Sequence, residues 1–231
     1  MTHLYDENYE KYLYSGAQGA VMRAAHRMLE RGIAPERNRN ILELGGGAMP
    51  HLRWVDRGSI GRYTISDTRE TLEKLRHSPL HREYEDLITY HVFEDDPDFS
   101  KLLAEHGPFS RIIASHVWEH IPDPEGALKR WVELLEAEDV LSIGLPCDPG
   151  LAWRLGQRLS ARKFMKLYGG TFADYDLHMA HEHVNAAQRL LKIFRYYFPR
   201  AQERFFPFPL PLVEINLLIN LTAHKKDFRA T

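Results

Sequence analysis

Residues Asn40-Ile41-Leu42-Glu43-Leu44-Gly45-Gly46-Gly47 carry an apolar run straight into three glycines. A short apolar stretch that stops in glycine reads as a buried strand of a parallel sheet handing over to a turn. Gly45 and Gly47 take backbone angles closed to other residues and let a ligand approach the main chain. A helix is expected over Pro50 to Arg57, with proline in its first turn and Gly58 closing it. Its free N–H groups and partial positive charge would hold a carboxylate or a phosphate.

Outward from this loop the apolar strings alternate with amphipathic stretches, the βαβ rhythm of an open, mostly parallel α/β sheet. Helices are expected over Ala17–Leu29, Thr71–His77, Phe99–His106 and Glu125–Glu136, and strands over Arg62–Ser66, Ile88–Phe93, Phe109–Ser115 and Val140–Leu145. The strand at Phe109–Ser115 is strongly apolar, which places it centrally. After Pro146 the rhythm breaks, then resumes with a helix over Ala186–Tyr197 and strands over Arg200–Phe206 and Glu214–Ala223. Internal repeats and low-complexity tracts are absent. The simplest organisation is one domain over residues 1–231, its core at about 30–146 and 186–231 and an insert at about 147–185.

Composition narrows the classes. The 231 residues are 44% hydrophobic and 27% charged, ordinary for a globular chain able to bury a sizeable core. Thirty Lys and Arg against 32 Asp and Glu give a net charge of -2, which argues against a nucleic-acid partner. The lone Cys147 excludes an internal disulfide and a CxxC zinc pair, so a reducing, cytoplasmic setting is expected. The opening MTHLYDENYEKYLYSG lacks the apolar core of a signal peptide, and no run approaches the roughly 20 apolar residues of a membrane span.

A dinucleotide fingerprint G-x-G-x-x-G starting at Gly45 would need glycine where Pro50 stands, which disfavours a nicotinamide-dependent oxidoreductase. Asp67 follows the second strand, where an acid accepts hydrogen bonds from both ribose hydroxyls. The competing structural reading is a glycine turn plus a helix-capping aspartate. ILELGGGAM, YTISD, and FSRIIASHVWEHIPDPEGAL followed by VLSIGLP resemble, in order and spacing over roughly residues 40–146, the class I S-adenosylmethionine-dependent methyltransferases. The third stretch resembles the HVLEHIPDP-like motif of a small-molecule branch. Glu43, Gly45 and Gly47 match the family's E/D-x-G-x-G-x-G, whose last glycine is Met49 here.

The resemblance implies a Rossmann-like, doubly wound seven-stranded sheet with an antiparallel last strand and a late helical insert. It implies S-adenosylmethionine as cofactor and S-adenosylhomocysteine as product. Glu43 would sit near the methionine ammonium, and the backbone of Gly45, Gly46 and Gly47 near its carboxylate. Asp67 would bind the ribose, Glu94 or Asp95 would lie by the adenine, and Ser115 and His116 would line the floor under the sulfonium. Tyr5 or Tyr12 would close over the methionine end.

His116, Glu119 and His120 stand at i, i+3 and i+4, so a helix after the fourth strand would put them on one face. Methylating a hydroxyl needs its proton removed, and His116 or His120 is placed to serve as general base. Ubiquinone-pathway O-methyltransferases, which this stretch resembles, place acids and a histidine here. A divalent ion on the trio is the lesser alternative, and no metal is assigned. The competing structural reading has Glu119 capping the first turn and His120 packing beneath it.

In the insert, Arg154, Arg158, Arg162 and Lys166 recur every four residues beside Leu151, Leu155 and Leu159. This predicts a basic amphipathic helix over 151–167 that receives an anionic acceptor through Arg154 and Arg158, or lies on an anionic membrane surface. A solvated face is the plain alternative. Asp174 to His183 supplies further acceptor-side candidates in Tyr175, His178, His181 and His183, with His178, His181 and Glu182 able to converge on one helical face. A small-molecule O-methyltransferase is the leading reading. Its anionic acceptor would be a phosphorylated metabolite, a nucleotide-linked sugar or a surface-glycan precursor. The alternatives are a cofactor-binding regulatory homologue without catalysis and a quinone-precursor O-methyltransferase.

Overall fold

The computed structural model describes residues 14–47 and 50–230. The strands are β1 (Asn40–Leu44), β2 (Arg62–Asp67), β3 (Ile88–Val92), β4 (Phe109–Ser115), β5 (Leu135–Pro146), β6 (Gln202–Phe206) and β7 (Leu218–His224). They form one seven-stranded sheet in the order β3-β2-β1-β4-β5-β7-β6. β1 to β5 pair in parallel, and β7 runs antiparallel to both β5 and β6. The expected doubly wound α/β sheet with an antiparallel last strand is present.

Both faces of the sheet are covered, which is why β4 is buried without alternation. Ile41, Ile65 and Ile113 point to one layer with Leu29 of helix α1 (Gly16–Glu30) and Leu72 of α2 (Arg69–Arg76). Leu42, Ile112 and Ala114 point to the other, against α5 (Pro124–Glu133) and α8 (Ala187–Tyr197). From α8 that layer takes Leu190, Leu191 and Phe194, each fully buried apolar side chain contributing about 1.5–3 kcal/mol. Two shorter helices, α3 (Pro79–Tyr84) and α4 (Ser100–His106), flank β3. The insert forms α6 (Leu151–Tyr168) and α7 (Phe172–Glu182), the latter opened by a Thr171–Asp174 capping box.

Two expectations are corrected. Residues 50–57 form no α-helix, but two short 3-10 turns at His51–Trp54 and Arg57–Ser59. The N–H of His51 is taken by the Glu43 carboxylate at 2.7 Å, so the turn is tied down instead of winding on. The residues after β4 likewise do not enter an α-helix. His116 sits at φ 56°, and only Trp118–His120 closes a 3-10 turn. Among the described residues no helix is long and apolar enough to cross a membrane.

Candidate active site

The chain reverses direction across the sheet between β1 and β4, and ligands of open α/β sheets lie outside the strand ends at such a point. Gly45 opens the loop after β1 at φ 63° and donates its N–H to Ser66 O at 2.8 Å. A Cβ on Gly45 would lie 2.5 Å from Cγ2 of Val117, so only glycine lets the loop pass under the chain leaving β4. Gly47, at φ 57°, differs: among the described residues a Cβ there would meet nothing within 4 Å. Its side of the loop opens onto free space, the shape needed where a ligand approaches the backbone.

Asp67, at the end of β2, fastens this loop. Its Oδ2 accepts the Gly47 N–H at 2.8 Å and its Oδ1 the Thr68 N–H at 2.7 Å. Burial raises its carboxyl above the usual range, against the pull of those two donors. Glu43 is 2% exposed and accepts from the His51 N–H at 2.7 Å and the Tyr63 hydroxyl at 2.8 Å. Burial still pushes its carboxyl up to about 7.

The two acids after β3 separate. Glu94 accepts the Arg69 N–H at 3.2 Å, beside Asp67, while Asp95 turns outward into a forked ion pair with the Arg69 guanidinium, both contacts 2.7 Å. Asp96, which the sequence did not single out, is buried and accepts the N–H groups of Lys101 and Leu102 at the start of α4. Burial opposes its ionisation, yet those donors and His91 bring it down to about 2.

At the end of β4, His116 N–H donates to Gly144 O at 2.9 Å. Its Nδ1 stands 3.5 Å from Glu119 Oε1, and its Nε2 is buried with no hydrogen-bond partner among the described residues. Ser115 Oγ beside it is also unpartnered. Glu119, 1% exposed, lies 3.8 Å from His120 Nε2 as well. Burial works against its charge, but His116, His120 and His183 hold its carboxyl below the ordinary range. The three residues therefore meet without a shared helical face. The left-handed turn at His116 folds the chain back and brings them together.

Among the insert residues the structure is selective. His183 Nδ1 donates to Asp148 Oδ2 at 2.7 Å, and the His183 ring meets that of His120 edge-on at 5.1 Å. Tyr175 and His178 pack on Phe164 instead, and His181 is exposed, so His178, His181 and Glu182 do not converge. Arg154 and Arg158 are exposed on α6 next to exposed Leu151, Leu155 and Leu159. Tyr5 and Tyr12 lie outside the described residues.

A family model described as a methyltransferase domain matches residues 9–195. The chain belongs to that family. Compared with curated proteins, the sequence finds no match. An O-methyltransferase family protein from Burkholderia thailandensis shares this methyltransferase domain's fold at TM-score 0.58 and 14% identity, over 96% of this chain and 63% of that one. This chain thus spans less than two thirds of that protein. The plantazolicin methyltransferase BpumL, solved with SAH, gives 0.58 and 12% over 95% of this chain and 87% of its own. The CurJ carbon methyltransferase gives 0.61 and 14% over 95% and 58%. At such identities these likenesses concern the fold.

One feature of the methyltransferase domain has no periodic or motif signal in the sequence. Tyr14 hydroxyl, His26, His51 and Glu30 form a continuous chain, with contacts of 2.6 Å (Tyr14–His26 Nε2), 2.9 Å (His26 Nδ1–His51 Nδ1) and 2.6 Å (His51 Nε2–Glu30). Glu30 also pairs with the fully buried Arg111 of β4 at 2.7 Å. Burial, then the neighbouring His51, brings His26 down to about 2, so this ring stays neutral.

Proposed function

We propose that this methyltransferase carries the methyl group of S-adenosylmethionine to a hydroxyl oxygen of a small anionic acceptor. The observation that carries the reading is His116. Its Nε2, without a hydrogen-bond partner among the described residues, lies buried beside the loop at the switch point, while Nδ1 stands 3.5 Å from the Glu119 carboxylate. In the transfer the S–CH3 bond breaks as the O–CH3 bond forms, the sulfur keeps the electron pair, and the hydroxyl proton passes to His116 Nε2. Orienting donor and acceptor supplies much of the rate. Asp67 and Glu94, side by side at the ends of β2 and β3, suit the ribose and the adenine edge, and the open side of Gly47 suits the methionine end. Glu119 positions His116, with His120 as its second imidazole neighbour.

The exposed Arg154 and Arg158 favour an acceptor bearing phosphate or a nucleotide. The leucines beside them on α6 suit peripheral contact with an anionic membrane surface and a lipid-linked acceptor. The test begins with calorimetric titration of S-adenosylhomocysteine into the protein and into Asp67→Ala, with NAD as control. Micromolar binding, lost in the variant and absent for NAD, is expected. Phosphorylated sugars and nucleotide sugars then form the first acceptor screen. Transfer should fall by about two to four orders of magnitude in His116→Gln with S-adenosylhomocysteine affinity kept. A protein that does not bind S-adenosylhomocysteine refutes the reading.

A further inference from the structure

The geometry points to a divalent transition-metal site formed by Glu119, His120 and His183. One ligand atom from each lies within 4.8 Å of the other two. Glu119 supplies the decisive observation. Both its carboxylate oxygens are buried, and neither has a hydrogen-bond partner among the described residues. The nearest ring nitrogens stand 3.5 and 3.8 Å away, beyond hydrogen-bond range. A buried carboxylate left bare costs several kcal/mol unless a cation meets it.

The two histidines are each held through Nδ1. His120 Nδ1 donates to Glu182 O at 2.6 Å and His183 Nδ1 donates to Asp148 Oδ2 at 2.7 Å. With Nδ1 engaged in each ring, Nε2 is the nitrogen left to hold an ion, and that of His120 stands 3.8 Å from Glu119 Oε1. A carbonyl and a carboxylate behind the two rings form the outer support that metal-binding histidines use.

The shell around the site is rigid. Asn185 N–H donates to Glu119 O at 3.0 Å and its Nδ2 to Ile121 O at 2.7 Å, tying the chain after α7 to the turn after β4. Trp153 stacks on the His183 ring. His120 is 34% exposed and His183 11%, so the cluster is closed beneath by Glu119 and open above. Ligands on one ion stand about 3–3.5 Å apart, so binding draws the three together by roughly an ångström. Two imidazoles and one carboxylate with open positions favour Zn2+, Mn2+ or Fe2+ over Mg2+ or Ca2+. Resting on the hydroxyl-acceptor reading, the open positions take the acceptor oxygen and lower its pKa next to His116.

The test titrates metal-free full-length protein with Zn2+ against a chromophoric chelator and with Co2+ followed by visible absorption. Glu119→Gln, His183→Ala, His183→Gln, Asp148→Asn and the neighbouring His181→Ala are compared, each checked for folding by circular dichroism. The expected result is one ion per chain, with the Co2+ bands of a four- or five-coordinate centre. Affinity should fall at least about a hundredfold in the folded Glu119 and His183 variants and about tenfold to a hundredfold in Asp148→Asn, with His181→Ala unchanged. Absence of stoichiometric binding, or binding indifferent to Glu119→Gln and Asp148→Asn, overturns the site. S-adenosylhomocysteine is titrated in parallel without metal. Its binding together with no metal binding removes the metal site alone and leaves the methyltransferase reading standing. Metal binding without it upholds the site and removes that reading.

Discussion

Replacing Glu43 with glutamine removes a carboxyl that burial has pushed up to about 7, from 4.5 in an open chain. Between those values the folded protein holds a proton that the unfolded chain has released. This contribution to stability is therefore full below about pH 4.5 and is lost as pH rises through about 7. From about pH 5 to about pH 8 the loss comes to about 2.5 kcal/mol. Glutamine still accepts the His51 N–H and can donate to the Tyr63 oxygen, so the variant keeps the local bonds without the titration. His26 acts in the opposite sense: brought down to about 2, it contributes stability above about pH 6.5 that is lost as pH falls. The quantity to measure is accordingly the difference between the two proteins, from urea unfolding at constant ionic strength across this range. Wild type should start ahead at the acid end and lose about 2.5 kcal/mol of that lead. Parallel curves, with a difference constant to about 0.5 kcal/mol, would refute the account of Glu43.

Three other substitutions separate fold from ligand. Gly47→Ala, whose Cβ meets open space at positive φ, should cost only about 1–2 kcal/mol of stability while weakening S-adenosylhomocysteine by roughly tenfold or more in calorimetry. Gly45→Ala drives a Cβ into Val117 and should lower the melting temperature further, without needing a ligand to show it. Arg111→Leu leaves the Glu30 carboxylate with His51 but without its guanidinium and frees the Leu29 and Asn38 acceptors, so unfolding by urea should show a loss of about 3–5 kcal/mol. Arg154→Glu with Arg158→Glu should raise KM for an anionic acceptor about tenfold and abolish binding to anionic liposomes, with S-adenosylhomocysteine affinity unchanged.

Strand β1 and its glycines, β4, and Asp67 at the end of β2 were readable because each leaves a local mark: an apolar run, a glycine turn, an acid at a strand end. The stretch 50–57 misled for an equally definite reason. Its proline and closing glycine are genuine helix punctuation, but a buried carboxylate eight residues upstream claims the His51 N–H. The meeting of His116, Glu119 and His120 was expected on the wrong geometry, since the i, i+3, i+4 spacing also serves a left-handed residue followed by a 3-10 turn. His183 could not be ranked above His178 or His181 from sequence. What distinguishes it is Asp148, 35 residues away. The chain from Tyr14 to Arg111 joins α1, the turn after β1 and β4, and leaves no pattern in any one of them.

The sheet order has a consequence for how such a protein changes. The residues suited to the methyl donor come from the ends of β1, β2 and β3, all before residue 96. Those proposed for the acceptor side come from the turn after β4 and from the insert, which is laced to that turn by His120–Glu182 and the Asn185 bonds. The two halves share the crevice but little sequence. On that proposal, substitutions in α6 and α7 should remodel what is methylated without disturbing what donates the methyl group. A transplanted insert should bring a new acceptor preference with it, provided that the partners of His120 and Glu119 travel along.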